Sequence, residues 1–330
     1  MREFLKEHLK TRPDPLGGGC RGFFLAIGTA LAICGSSPLY AILAGHENHL
    51  PADAPSQRID SAGPDSPFNF IGALSITSGG SSFIGSASAI SPEWVLTAGH
   101  NLDTNDDGAP DAGVTATFHL PGFGEFSGAA YYTHPDFGGF SNGIHHDIGL
   151  IRLAEPLPAG LNFPGFHFGA GVGDVVTLAG FGRSGFGNYG YTTNASLTDR
   201  RIGQNMIETF TMGEGGDANV FLYTFGHPDT YGEPGGSLGN DVETIIGPGD
   251  SGGPVLIEWE EGYGFVGIST FTEGFGGRFG DIGGGVVLEP YNDWIHGVTG
   301  IAIPEPGAAA LFAGVWGLAF IVIARRLRRR

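Results

Sequence analysis

The sequence predicts an all-β fold, and three observations support that prediction. Of 330 residues, 60 are glycine, about 18% against a usual share of about 7%. These glycines follow no Gly-X-Y period, which excludes collagen, and glycine at this density disfavours long helices. Short apolar runs recur between clusters of Gly, Asn, Asp and Pro, a pattern typical of β-sandwiches and β-barrels. The 25 phenylalanines, with many Val, Ile and Leu residues, are enough for a sizeable core.

The apolar runs give the predicted strands in chain order. They are 68–77, 82–90, 93–97, 113–119, 127–133, 147–153, 173–180, 205–211, 218–225, 253–258, 263–271 and 284–288. One helix is predicted over 290–298, with Pro290 near its start, where proline is tolerated. The glycine-rich stretches 180–190 and 274–285 are predicted to be loops.

The N-terminus has the pattern of an export signal. A basic region precedes 13 largely apolar residues at 22–34, and Ala41 follows as a plausible cleavage point. Residues 1–41 are therefore predicted to be a signal peptide, with an uncleaved anchor as the alternative. Residues 42–66 are predicted to be a flexible linker or short propeptide. Both cysteines lie before Ala41, so the mature chain is expected to lack thiols and disulfides.

The C-terminus combines three features. Pro-Glu-Pro at 304–306 is followed by 18 largely apolar residues at 307–324 and by five arginines within 325–330. As a helix, 307–324 rises about 27 Å, close to the roughly 30 Å of a bilayer core, which predicts a transmembrane segment. This tail closely resembles the PEP-CTERM sorting signal of bacterial envelope proteins. The resemblance implies export, membrane attachment through the helix before processing, and cleavage near Pro-Glu-Pro by an exosortase-type enzyme.

A simple tail anchor is the alternative for this C-terminus. Either interpretation places the intervening chain outside the cytoplasm, in the cell envelope or the extracellular space. The export machinery is then an expected partner.

The charge between the two ends excludes one class of partner. Residues 42–304 contain six arginines, no lysine and 30 acidic side chains, a net charge of −24. Such a surface repels nucleic acids and favours cations, so no nucleic-acid partner is expected.

One acidic segment resembles the start of a calcium-binding loop. Asp103, Asn105, Asp107 and the following Gly108 fit the pattern D-x-[DN]-x-[DN]-G, and Asp111 stands at the ninth position. The twelfth position lacks the bidentate glutamate, which excludes a complete EF-hand. The segment predicts a structural calcium site formed by Asp103, Asn105, Asp107 and Asp111, with a solvated acidic turn as the alternative.

Three motifs contain candidate catalytic residues. His100 ends the run 94–100, Asp147 opens the run 147–153, and Ser251 lies among turn-forming residues at 247–254. A serine hydroxyl becomes a good nucleophile when an imidazole takes its proton, and a carboxylate must orient that imidazole. Glycine lets backbone N–H groups converge on an oxyanion, so Gly249 and Ser251 are the candidate donors.

These motifs resemble the three signatures of chymotrypsin/trypsin-like serine peptidases, in the family's order of His, Asp and Ser. The resemblance covers about 67–300 and implies two antiparallel six-stranded β-barrels with the active site between them. It implies that His100 is the general base, Asp147 its orienting carboxylate and Ser251 the nucleophile. Asp250 matches the acid that sets the geometry of the serine loop. No cofactor is implied.

The chain departs from the family pattern at several positions. Gly99 precedes the histidine, where alanine is commonest, and Asn101 follows it, where cysteine is common. No Ile-Val-Gly-Gly-like start of a mature chain is evident, the nearest segment being 68–72, so the partner of Asp250 and the route of activation stay open. The other histidines, including His119, His134, His145 and His146, are expected to be structural or to lie on the surface.

The resemblance also bears on specificity. In the trypsin branch, an aspartate six residues before the serine selects Lys or Arg, and Ile245 stands at that position here. With Ser269 and Phe271 on the opposite wall, the pocket is expected to accept small or medium apolar side chains.

The leading hypothesis is an exported serine endopeptidase that cleaves protein or peptide substrates through an acyl-enzyme. The alternative is a catalytically silent, acidic, calcium-binding matrix or adhesion protein built on a peptidase-like scaffold.

Overall fold

The computed structural model describes residues 42–45, 54–140, 143–212, 218–231, 237–239, 243–259, 262–274 and 276–302. All of them lie within the compact unit Leu39–Arg330. They form an all-β structure with a short C-terminal helix, which confirms the predicted fold class. The predicted signal peptide 1–41 and transmembrane segment 307–324 lie outside the described residues. Within the described part of the chain, no helix is long and apolar enough to cross a membrane.

Six antiparallel strands close into a barrel, as predicted for the first half of the domain. They are β1 (Ile71–Ser78), β2 (Ser81–Ala89), β3 (Trp94–Thr97), β4 (Thr115–Leu120), β5 (Gly124–Thr133) and β6 (Gly149–Leu153). Their order is β1-β2-β3-β6-β5-β4, and the barrel closes because β4 also pairs with β1. Buried apolar side chains from the strands, such as Leu74, Val95, Phe118 and Leu150, fill the interior.

The second half differs from the predicted six-stranded barrel. It is a seven-stranded antiparallel sheet in the order β10-β7-β13-β14-β15-β12-β11. Its strands are β7 (Val175–Gly180), β10 (Arg201–Met206), β11 (Thr209–Met212), β12 (Ala218–Thr224), β13 (Pro254–Trp259), β14 (Gly262–Glu273) and β15 (Ile282–Val287). Strand β10 at one edge approaches β12 near the other edge, where the Asn205 side chain donates a hydrogen bond to the Thr224 carbonyl at 3.1 Å. A separate hairpin pairs β8 (Ser184–Phe186) with β9 (Gly190–Thr193).

Two glycine-rich stretches that were predicted to be loops contain strands. The first includes β8, and the second includes the first four residues of β15, of which only the part from 284 onward was also predicted to be a strand. Glycine is needed in β15 for close approach rather than for flexibility. A Cβ atom on Gly283 would lie 2.3 Å from the Tyr223 ring, and one on Gly285 would lie 1.9 Å from the Ile268 carbonyl oxygen.

Another predicted strand, 205–211, is interrupted. Strand β10 ends at Met206 and β11 begins at Thr209. Between them the chain changes partner. The Ile207 amide still bonds toward β7, donating to the Asp174 carbonyl at 3.0 Å, whereas the Glu208 amide donates to the Leu222 carbonyl of β12 at 2.9 Å.

The segment after Ala41 is part of the core, which differs from the flexible lead-in predicted for 42–66. Ile42, Leu43 and Ala44 are fully buried. The Leu43 amide donates to the Ile245 carbonyl at 3.0 Å, and the Ala44 amide donates to the Gly185 carbonyl at 2.9 Å. Burial of three consecutive apolar side chains stabilises this segment by more free energy than the ordering of its backbone costs. The segment therefore packs into the core.

The C-terminal part of the described chain returns to the first barrel. A 3₁₀ turn at Glu289–Tyr291 leads into helix α1 (Asn292–Thr299), close to the predicted 290–298. Ile295 of α1 is fully buried against the core that includes the first barrel. The helix ends where Gly300 takes the left-handed conformation and its amide donates to the His296 carbonyl at 2.8 Å.

Candidate active site

Pairing between β3 and β6 brings His100 and Asp147 together. Thr97, the last residue of β3, is opposite Gly149, the first residue of β6. His100 follows β3 in the 3₁₀ turn Gly99–Asn101, and Asp147 lies just before β6. Residues 47 positions apart in sequence therefore become neighbours at one end of the barrel.

The Asp147 carboxylate binds His100 through both of its oxygens. Oδ1 accepts a hydrogen bond from the His100 backbone amide at 2.8 Å, and Oδ2 lies 2.7 Å from the His100 ring nitrogen Nδ1. Asp147 is fully buried, and His100 is 20% exposed. Because an ionised carboxylate only accepts hydrogen bonds, Nδ1 is the protonated nitrogen. The other ring nitrogen, Nε2, is then left with a lone pair that can take a proton.

A tight turn presents Asp147 to the histidine. The Ile148 amide donates to the His146 carbonyl at 2.8 Å, so Asp147 is the central residue of a three-residue turn. His146 has a φ of 62°, a left-handed conformation that is uncommon for residues other than glycine. Gly99 packs against this turn, since a Cβ atom there would approach Asp147 Oδ1 to 3.2 Å. Even the alanine that is common at this position would be crowded.

The Ser251 backbone is tied to the turn that contains His100. The Ser251 carbonyl accepts hydrogen bonds from the Ser86 amide and from the Asn101 side-chain amide, both at 2.9 Å. Asn101 also donates to Thr97 Oγ1 at 3.0 Å. The residue that replaces the common cysteine thus links the histidine turn to the serine loop without a covalent bond.

Glycines flank the serine on both sides. Gly249 and Gly252 have φ values of 98° and 84°, conformations that disfavour other residues. A Cβ atom on Gly252 would lie 2.1 Å from Thr97 Oγ1, so the serine loop also packs directly on β3. These close contacts with the first barrel restrict the conformations that the serine loop can adopt.

Ser86 is a site residue that sequence reasoning missed. It is fully buried on β2. Its hydroxyl donates to the Gly249 carbonyl at 2.9 Å and accepts a hydrogen bond from the Phe181 amide at 3.0 Å. The only sign of this role in the sequence was that Ser86 lies in the mostly apolar second half of the predicted strand 82–90.

Asp250 has a partner that the sequence analysis left open. Its Oδ2 accepts hydrogen bonds from the Ile42 amide at 2.7 Å and the Gly247 amide at 2.8 Å, and Oδ1 accepts one from the Gly182 amide at 2.9 Å. Asp250 is fully buried, and this burial raises the pKa of its carboxyl to about 7, against the opposing effect of the three amides. The missed signal was Ile-Leu-Ala-Gly at 42–45, directly after the predicted cleavage point.

The predicted pocket residues lie in two places, and all three are buried. Ile245 is fully buried in the core beneath the second sheet, together with Ile42 and Leu43. Ser269 exchanges backbone hydrogen bonds with the two residues after Ser251, both at 2.8 Å. The Phe271 ring lies against the backbone of Gly284, where a Cβ atom would approach it to 2.6 Å.

Two carboxylates of the predicted calcium loop, those of Asp103 and Asp111, accept hydrogen bonds from nearby amide and hydroxyl groups. Asp103 is fully buried and accepts hydrogen bonds from the Gly108 amide at 2.8 Å and the Asp107 amide at 3.2 Å. Asp111 Oδ2 accepts from the Thr104 amide at 3.0 Å and from the hydroxyls of Thr104 and Ser78. Burial raises the pKa of Asp111, but these hydrogen bonds outweigh it and hold that pKa below its ordinary value. Asn105 and Asp107 are exposed. Calcium binding stays a prediction.

The chain is similar to known proteins in both sequence and fold. The family model for trypsin matches residues 60–295. A solved structure described as HL collagenase aligns with a TM-score of 0.51 at 19% identity, covering 71% of this chain and 95% of that chain. At that identity the likeness shows a shared fold. No curated protein matches the sequence.

Proposed function

The chain belongs to the trypsin family and contains a trypsin-like serine peptidase domain, and from that premise we propose that it is an exported serine endopeptidase. His100, Asp147 and Ser251 are its catalytic residues. The observation that supports this most strongly is the buried Asp147 carboxylate, which binds both the amide and the ring of His100. The proposal is also supported by Asn101, in the same turn as His100, whose side chain donates a hydrogen bond to the Ser251 carbonyl at 2.9 Å.

The proposed mechanism follows from the protonation state of the imidazole. His100 Nε2 takes the hydroxyl proton of Ser251 as the oxygen attacks the substrate carbonyl. Asp147 keeps the ring oriented and stabilises the imidazolium that forms. The amides of Gly249 and Ser251 donate to the oxyanion, and the left-handed φ of Gly249 allows the loop to turn toward it. As the C–N bond breaks, the His100 imidazolium gives the proton from Ser251 to the leaving amine, and the acyl-enzyme forms. Neutral His100 then takes a proton from the water that attacks the acyl-enzyme, and it returns that proton to Ser251 Oγ as the acid product leaves.

Labelling with a fluorophosphonate probe and hydrolysis of casein test this assignment. Ser251→Ala and His100→Ala should each lower turnover by roughly 10⁶-fold, and the double variant should lose little more, because the residues act as one unit. Ser82→Ala, at an exposed serine of β2, is the matched control. Near-normal hydrolysis by His100→Ala would show that the assignment is wrong.

Activation is proposed to follow from cleavage after Ala41. The backbone nitrogen of Ile42 lies 2.7 Å from Asp250 Oδ2 in a fully buried environment. Cleavage would convert this amide into a positively charged α-amino group, which compensates a buried carboxylate far better than a neutral amide does. Because Asp250 adjoins Ser251, the new ion pair would stabilise the serine loop. Removal of the signal peptide and activation would then be the same event.

The proposed specificity is for small or medium apolar side chains before the scissile bond. Ile245 offers no charge to pair with a lysine or arginine, and an unpaired buried cation costs several kcal/mol. The large, nearly buried ring of Phe271 narrows the opposite wall. Protein or peptide substrates with Ala or Val at the cleavage site fit this environment.

Export and sorting complete the proposal. Residues 1–41 direct export, and the PEP-CTERM-type tail attaches the protein to the membrane until an exosortase-type enzyme cleaves near 304–306. The domain then acts in the cell envelope or outside the cell.

A calcium-binding adhesion protein is the second candidate function, and one observation favours it. Asp111 Oδ1 is buried and has no hydrogen-bond partner among the described residues, as expected of an oxygen that could bind a cation. Calcium should then raise the melting temperature relative to chelator, and Asp111→Asn should abolish that difference. Hydrolysis of casein that depends on Ser251 would contradict a purely adhesive role.

A further inference from the structure

Three side chains of types that can bind metal ions lie close together beside the proposed catalytic residues and are not among them. His134, Asp136 and His146 each offer one ligand atom, and these three atoms lie within 4.8 Å of one another. The two imidazole rings stack with centroids 5.3 Å apart and planes inclined by 13°. His134 is 12% exposed, whereas Asp136 is 70% exposed. The cluster therefore combines two partly buried rings with a carboxylate that can move and an opening to solvent.

Aromatic residues near the C-terminus support the two rings. The Tyr291 hydroxyl lies 3.1 Å from His146 Nδ1 and accepts a hydrogen bond from the His146 amide at 3.2 Å. The rings of Tyr291 and Trp294 pack edge-on against His134, with centroids 5.1 and 5.2 Å away. Partners of this kind orient metal-binding histidines, because they fix the ring before the ion arrives.

We propose that His134, Asp136 and His146 bind a divalent transition-metal ion of the Zn²⁺ class. Two imidazole nitrogens and one carboxylate oxygen suit Zn²⁺, whereas Ca²⁺ and Mg²⁺ prefer oxygen ligands alone. Tetrahedral Zn²⁺ with ligands at about 2.1 Å separates its ligand atoms by about 3.4 Å. The three side chains must therefore close by somewhat more than 1 Å, and rotation of the exposed Asp136 side chain provides much of that movement.

Occupancy of this site affects catalysis through the backbone, a consequence that rests on the proposed function. His146 directly precedes Asp147, and its carbonyl accepts the hydrogen bond that closes the turn around Asp147. Movement of His146 toward the metal shifts this turn and, with it, the carboxylate that orients His100. Zn²⁺ is therefore expected to lower kcat more than it raises KM.

Calorimetric titration of the metal-free full chain with Zn²⁺ tests the site. The titration uses the Ser251→Ala variant, so binding is measured independently of any activity. We expect one equivalent of Zn²⁺ to bind, with no comparable binding of Ca²⁺ or Mg²⁺ at this site. His134→Asn and His146→Asn should each weaken binding at least a hundredfold. Asparagine tolerates the left-handed φ at 146, and His119→Asn, outside the cluster, is the control.

Two binding results would overturn the proposal. The first is a Zn²⁺ affinity that is unchanged in both His134→Asn and His146→Asn. The second is binding that is lost in His100→Ala but kept in the other two variants, which would place the ion on the catalytic histidine. In the active chain, Zn²⁺ should lower peptide hydrolysis relative to the same chain without metal, and His134→Asn should remove that sensitivity. Full activity at saturating Zn²⁺ would refute the coupling to Asp147.

Discussion

Freeing the amino group of Ile42 should remove the loss of stability that Asp250 causes as pH rises. Before cleavage, the Asp250 carboxyl of the folded chain has a pKa of about 7, against 3.8 when unperturbed. The folded chain then holds this proton more tightly than the unfolded chain, so the free energy of unfolding falls as pH rises from about 4 to about 7. A difference of about three pH units corresponds to about 4 kcal/mol.

An α-ammonium group at the position of the Ile42 amide changes this balance. A positive charge beside Oδ2 stabilises the carboxylate and lowers the folded-state pKa of Asp250, so the loss of stability between pH 4 and 7 should disappear. Near pH 7 the cleaved chain should be more stable than the uncleaved chain by up to about 4 kcal/mol, the cost that the ion pair removes. At pH 4, where the uncleaved carboxyl keeps its proton, the difference should be much smaller.

Urea unfolding of two matched chains measures this difference. Both carry Ser251→Ala, one begins at Ile42, and the other begins at Ala41, which displaces the same charge by one residue. In each chain, Asp250→Asn should abolish the pH dependence and bring the two stabilities together. Parallel pH profiles for the Ile42 and Ala41 chains would show that the amino group does not bind Asp250.

Three other predictions concern specificity, packing and processing. Phe271→Gly should extend cleavage to larger side chains when sites are profiled on a proteome-derived peptide library, and dominant cleavage after Arg or Lys by the parent would refute the pocket assignment. Ser86→Ala removes a buried hydroxyl that binds two backbone groups, so it should lower the free energy of unfolding by about 1–3 kcal/mol and reduce kcat, while exposed Ser82→Ala changes neither. Mass spectrometry of envelope-derived protein should find an N-terminus at Ile42 and a C-terminus near the Pro-Glu-Pro, whereas intact 325–330 throughout would indicate a permanent anchor.

The first barrel was largely predictable because its signals are local. Its strands alternate buried and exposed side chains or form short apolar runs, and turn residues separate them. The segments around His100, Asp147 and Ser251 are similarly compact in sequence. Local patterns were ambiguous for β15, since the run 284–288 predicted a strand while the glycines at 283–285 also belonged to a stretch that was predicted to be a loop. Those glycines are required by the Tyr223 ring and the Ile268 carbonyl, which come from other strands.

The sequence by itself determined the all-β class, the order of the elements and the chemistry available at His100, Asp147 and Ser251. It also predicts cleavage after Ala41, since apolar length and small residues are properties of a short segment. Only the tertiary structure decided which distant groups meet. Ile42 reaches Asp250 across 208 positions, and Asn101 reaches Ser251 across 150. Such contacts depend on how the two sheets pack and on which strands pair, and no local pattern of residues encodes that geometry.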